Sequence, residues 1–221
     1  MNDVEIMWQW LTDPAQWSGP NGIPVRVAEH LAISCTAFAI AAAIALPIGL
    51  VLGHRGKGGL LAVNVGNIGR AVPTFALLII FASWDAVGVG TTAAILALVF
   101  FALPPLLTNT YTAMRGVDAD ARDAAVGMGL SGGQVLRRVE VPLAVGLMAA
   151  GIRTSFTQVV ATATLAAIVG GGGLGRYVVD GFALQDPGPL LGGAVLVSLL
   201  TLAAEAVLAV GQRAVTPRAV S

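Results

Sequence analysis

The stretch Leu31–Leu52, LAISCTAFAIAAAIALPIGLVL, contains no charged residue. Crossing the hydrocarbon core of a bilayer takes about 20 consecutive apolar residues in a helix. This run meets that length before Gly53-His54-Arg55-Gly56-Lys57 closes it. Composition points the same way. Of 221 residues, 56% are hydrophobic and 11% charged, whereas a soluble domain carries about a quarter charged residues. An integral membrane protein is expected.

Four further spans lie outward from that run. They run from about Leu60 to Ser83, interrupted by Arg70 and Pro73; from Thr91 to Met114; from near Pro142 to around Val169, with Arg153 inside; and from about Pro189 to Gly211, with Glu205 near the end. The expected fold is all-α with about five transmembrane helices and a polar loop, Arg115–Glu140, between the third and fourth. Basic residues set the orientation. With the 54–57 loop, the 115–140 loop and the C-terminus in the cytoplasm, Arg55, Lys57, Arg115, Arg122, Arg137, Arg138, Arg213 and Arg218 lie inside, and only Arg26 and Arg176 lie outside. The N-terminus is then outside and the C-terminus cytoplasmic. Trp8, Trp10, Trp17 and Trp84 share the outer face, where amphipathic rings favour the headgroup layer. Residues 1–28 form an outer-face segment, in which 5–17 read either as an interfacial helix or as a poorly ordered tail. Residues 29–215 form the membrane domain and 216–221 a cytoplasmic tail. The acidic start, Met1–Glu5, lacks the basic region of a secretory signal.

Several chemistries are disfavoured. Cys35 is the sole cysteine, and His30 and His54 flank the first span as interface residues, so no metal set is expected. A net charge of +0 gives no sign of nucleic-acid binding. The sole lysine, Lys57, is followed by Gly58, so the phosphate loop G-x-x-x-x-G-K-[ST] is absent and no cofactor is expected on this chain. Gly127-Met-Gly-Leu-Ser-Gly132 fits the dinucleotide pattern G-x-G-x-x-G. A polar, Ala-rich segment precedes it instead of a buried strand, and no acid stands near position 147, about 20 residues on. Gly170–Gly175 fits the same pattern, a cheap match in a chain with 28 glycines.

The polar loop has its own order. Asp118 and Asp120 suit the positive end of a helix, and Ser131 is a candidate N-cap for a second, short one. Helix, glycine turn, short helix and membrane follow in sequence, a shape that suits a knob for another protein. Asp123-Ala124-Ala125, three residues, Gly129, nine residues and Val139-Glu140-Val141-Pro142 resemble the E-A-A, three, G, nine, I-x-L-P loop of permease subunits in bacterial ABC importers. Asp stands for Glu, and Val for Ile and for Leu. The resemblance implies a coupling region in which Asp123, Ala124, Ala125, Gly129, Val139 and Pro142 dock on a dimer of separate ATPase subunits, which carry ATP and Mg. Ala124 and Ala125 would allow close approach, and Gly129 the backbone reversal. It also implies a non-catalytic, multi-pass subunit of the bacterial inner membrane, paired with a second identical or related permease chain, surrounded by lipid and served by an extracytoplasmic substrate-binding protein.

Residues 150–175, AGIRTSFTQVVATATLAAIVGGGGLG, resemble the permeases for glycine betaine, proline betaine, carnitine and choline. The shared parts are the G-I-R-T start, the T-A-T-L-A-A core and the I-G-x-G-G-L-G exit, with Val169 for Ile. The break Arg70-Ala-Val-Pro-Thr74 fits as well. Methionine permeases share the glycine-rich exit, so import of methionine or another amino acid is the alternative. An ion-driven secondary transporter is the alternative of another class, but no internal repeat is visible. Phe38, Phe75, Phe81, Phe100, Phe101, Tyr111 and Phe156 are spread over four spans and do not suggest the aromatic cage that a trimethylammonium group needs. The resemblance implies that selection of cargo falls to the separate binding protein.

A charge at the bilayer centre costs roughly 2.5–3.5 kcal/mol on insertion scales. Arg70 and Arg153 sit about halfway along their spans and are expected to face the bundle interior or a water-filled cavity, unless Arg70 snorkels to an interface. Glu205 is the only acid at such depth and is expected to offset one of them. Pro73 breaks the helical hydrogen-bond ladder. Broken backbone survives in a bilayer only where it is buried in protein or lines a cavity, which puts Arg70, Pro73 and Thr74 near a translocation pathway together with Arg153. Thr154, Gln158 and Thr162 recur at i, i+4 and i+8. That stripe reads equally as pathway lining and as interhelical hydrogen bonding.

Overall fold

The computed structural model describes residues 2–216, apart from the side chains of residues 61–63 and 70. The Arg70 side chain and the tail beyond residue 216, with Arg218, lie outside the described residues. Among the described residues every regular element is helical.

The N-terminal segment contains a helix, α1 (Asp3–Thr12). Asn2 and Glu5 close its first turn reciprocally: the Glu5 backbone N–H donates to Asn2 Oδ1 at 2.8 Å, and the Asn2 N–H donates to Glu5 Oε2 at 3.3 Å. The first long helix, α2 (Ile23–Arg55), begins eight residues before the apolar run does. Arg26 and Glu29 look like boundary residues, but they pair one turn apart at 2.8 Å, and a charged turn can therefore extend the helix. Gly56, at φ 64, ends it.

α3 (Gly59–Ala71) and α4 (Thr74–Ala82) form the second segment, broken at Val72 and Pro73, where Pro73 lacks the N–H that continuity requires. α5 (Thr91–Arg115) follows and runs parallel to α2. Small residues of α2 form the seam between them. Ala37, Ala41, Ala45, Gly49 and Gly53 recur at intervals of four and are all buried. A Cβ on Gly49 would stand 2.7 Å from the Thr110 Cβ, and one on Gly53 would run into Met114. Close backbone approach of this kind is what associates helices where apolar burial offers no gain over lipid.

The loop resolves into α6 (Ala119–Gly127), α7 (Gly132–Val135) and a π-helical turn, Leu136–Glu140, that runs without a break into α8 (Val141–Thr162). The fourth apolar segment is thus continuous with the end of the loop and does not start at Pro142. A 3-10 stretch, Ala163–Val169, continues α8. After the glycine-rich exit come α9 (Gly175–Leu184) and α10 (Pro187–Val215). α2, α5 and α10 are each long and apolar enough to cross a membrane. The broken α3/α4 segment and α8 with its 3-10 extension make up the remaining two apolar segments.

The bundle has two distinct ends. Gly56 lies beside Arg115, and Gly146 at the start of α8 lies beside Thr216 at the end of α10, so the polar loop and three helix ends share one pole. Gly90, Gly170, Gly173 and Glu29 meet at the other.

Candidate functional site

At the loop pole, α6 ends in a Schellman turn. The Gly129 N–H donates to the Val126 carbonyl at 2.9 Å and the Leu130 N–H to the Ala125 carbonyl at 3.2 Å. Gly129 has φ 82 with open space around it, so a side chain there would be strained and not crowded. Asp123, Ala124, Gly129 and Pro142 are exposed, and Val139 is half-buried. Ala125 is buried at 1% exposure, so its small side chain packs within the chain and offers no surface to a partner. Two apolar side chains that sequence reasoning passed over do face outward: Val126 is 60% exposed and Met128 74%.

Beneath this surface lies Glu140, which stands at the x of I-x-L-P and is 1% exposed. Its Oε2 is 2.5 Å from His54 Nδ1 at the end of α2. Its Oε1 is 2.8 Å from Arg122 Nε on α6, an ion pair in which the N–H is not aimed well enough to count as a hydrogen bond. Arg122 Nη2 also donates to the Met114 carbonyl at the end of α5. His54, read from the sequence as an interface residue, thus also pairs with a distant element of the same chain. The pairing joins residues 86 positions apart, and no local pattern signals it.

Midway along the bundle is a cavity of about 490 Å³, within the usual range for small-molecule sites. Pro73, Thr74, Thr154 and Gln158 line it, together with Phe101 and Asn109, which sequence reasoning missed. Asn109 was the legible one: it is an amide inside a span. Arg153 and Thr162 are not among the lining residues. Arg153 turns to α10, where its Nε lies 3.1 Å from Glu205 Oε1, again without good N–H alignment. The Thr157 hydroxyl donates to Glu205 Oε2 at 2.8 Å.

The opposite pole explains the glycine-rich exit. The Gly173 N–H donates to Glu29 Oε2 at 2.8 Å, and the buried His30 Nε2 meets the Val160 carbonyl at 2.8 Å. A Cβ on Gly171 would stand 2.7 Å from the Ala166 carbonyl oxygen, and one on Gly175 would overlap the Thr164 carbonyl. The exit thus folds back on its own 3-10 stretch and against α2. Trp10 of α1 packs edge-on against Tyr177 at 4.9 Å and over Gly192 of α10. Burial is the largest influence on the Tyr177 hydroxyl and pushes its pKa above the usual value; Arg26 opposes this and Glu29 adds to it.

A family model described as "binding-protein-dependent transport system inner membrane component" matches residues 45–220. The chain is 40% identical over 193 residues to the glycine betaine/carnitine/choline transport system permease protein OpuCB of Bacillus subtilis, covering 87% of this chain and 88% of that one. Identity is 40% over 189 residues with the choline transport system permease protein OpuBB of the same organism, covering 86% of each chain. It is 37% over 196 residues with the carnitine transport permease protein OpuCB of Listeria monocytogenes, covering 89% of each. A solved structure of the MetNI methionine ABC transporter in an inward-facing conformation superimposes with a TM-score of 0.79 at 23% identity, covering 93% of this chain and 100% of the other, a likeness of fold alone. The chain belongs to the family of binding-protein-dependent transport system inner membrane components, as a non-catalytic, multi-pass subunit of the bacterial inner membrane.

Proposed function

We propose that this chain is the permease subunit of an ATP-driven importer for quaternary-amine osmoprotectants of the glycine betaine, choline and carnitine class. The observation that carries the reading is the 40% identity, over nearly the whole of both chains, to permeases named for those solutes. The likeness to a methionine transporter concerns the fold alone and does not favour that cargo.

The chain crosses the membrane five times, with the loop pole in the cytoplasm. The excess of basic residues at that pole supports this orientation. Asp123, Ala124 and Gly129, with the exposed Val126 and Met128, meet a separate ATPase subunit that binds ATP and Mg. An external binding protein delivers cargo, which passes between two permease chains along the surface made by Pro73, Thr74, Asn109, Thr154 and Gln158. The described lining offers hydroxyl and amide groups and no carboxylate, which suits passage and release of a zwitterion or cation more than tight capture. Arg153 and Glu205 neutralise one another beside it.

The test is ATP hydrolysis by the reconstituted complex, screened with binding protein loaded with glycine betaine, choline, carnitine or methionine. Stimulation by the first three is expected. Stimulation by methionine alone would overturn the assignment of cargo.

A further inference from the structure

Arg122 and Asp123 are neighbours on α6 and face opposite ways. Asp123 is exposed, whereas Arg122 reaches inward to Glu140 and to the end of α5. Glu140 closes the π turn that leads into α8, and it holds His54 at the end of α2 with its other oxygen. One carboxylate at 1% exposure thus joins α2, α6 and the start of α8, and through Arg122 also α5. A π turn inside an α-helix is an uncommon feature that tends to sit at functional sites. A buried charge stripped of a partner is strongly unfavourable, so such a junction resists opening.

We propose that Glu140 is a positioning residue: it locks α6 to the loop-pole ends of the membrane helices, so that displacement of α6 moves them as a unit. The proposal rests on the reading that the loop docks on an ATPase subunit. Removing the lock leaves the exposed docking surface in place but lets α6 move without the helices. ATP hydrolysis then continues and transport lags behind it.

The experiment uses the full complex in liposomes, with Glu140→Gln in this chain. Three quantities are read: retention of the ATPase subunit on purification, the rate of ATP hydrolysis, and choline taken up per ATP hydrolysed. Retention is expected to be unchanged and hydrolysis nearly so, while uptake per ATP falls about tenfold, the scale on which coupling residues act. Unchanged uptake per ATP in an assembled complex overturns the proposal. If Glu140→Gln does not assemble, Arg122→Gln carries the same measurement, since it frees α6 and leaves Glu140 with His54; unchanged uptake per ATP there overturns the proposal equally. Failure of the unsubstituted chain to retain an ATPase subunit would overturn the docking reading, and the lock with it.

Discussion

Glu205 on α10 stands 3.1 Å from Arg153 on α8, and its second oxygen accepts the Thr157 hydroxyl at 2.8 Å. Both charges lie within apolar helices and are about one-third exposed, so the pair stands between a solvated surface bridge and a fully buried one. Glu205→Gln should lower the stability of the purified subunit by about 1–2 kcal/mol. The double change Arg153→Gln with Glu205→Gln should recover part of that loss. Thermal unfolding in one detergent decides it: a single variant as stable as the parent removes the pairing from the account.

Gly49 faces Thr110 across the α2–α5 seam with no room for a methyl group. Gly49→Ala should force the two helices apart, at a cost of about 1–3 kcal/mol. The obstructing atom is a Cβ on a helix, which cannot swing away as a side-chain tip would. Unfolding temperature measures the effect, and an unchanged value would mean that the seam is looser than described.

Gly127 and Gly129 belong to the same glycine pattern and should respond in opposite ways. Gly129→Ala forces a left-handed residue and should cost about 1–2 kcal/mol, weakening retention of the ATPase subunit. Gly127→Ala meets open space in a helical turn and should be neutral or slightly stabilising. Equal effects in a pull-down of the ATPase subunit would show that the turn is not what presents the loop.

Part of this architecture is legible in the chain alone. The unbroken apolar run at Leu31–Leu52 and the missing N–H of Pro73 are local facts, and local facts dictate helices and breaks. The start of α2 at Ile23 was hidden because Arg26 and Glu29 resemble the end of a membrane segment. Glu29 is satisfied by Gly173, 144 residues later, and such a partner leaves no periodic trace. Glu140 was hidden likewise as an unspecified letter in a motif, with its partners on two other elements.

Gln158 and Asn109 line the central cavity with Thr154 and Thr74. Gln158→Leu should reduce choline uptake about tenfold or more, since a polar cargo would then meet an apolar wall with its own groups unpaired. ATPase retention should be unaffected. Thr162→Val, outside that lining, should leave uptake within about twofold, as a near-isosteric change away from the cavity. Equal losses in both would remove the cavity from the pathway.

The most direct measurement is uptake of radiolabelled choline and glycine betaine by liposomes that hold this chain, its ATPase subunit and the binding protein, with ATP supplied on the loop side and no ion gradient imposed. Accumulation that requires hydrolysable ATP and stops when the ATPase subunit is omitted is the expected result. Accumulation driven by an ion gradient in the absence of ATP would contradict the account.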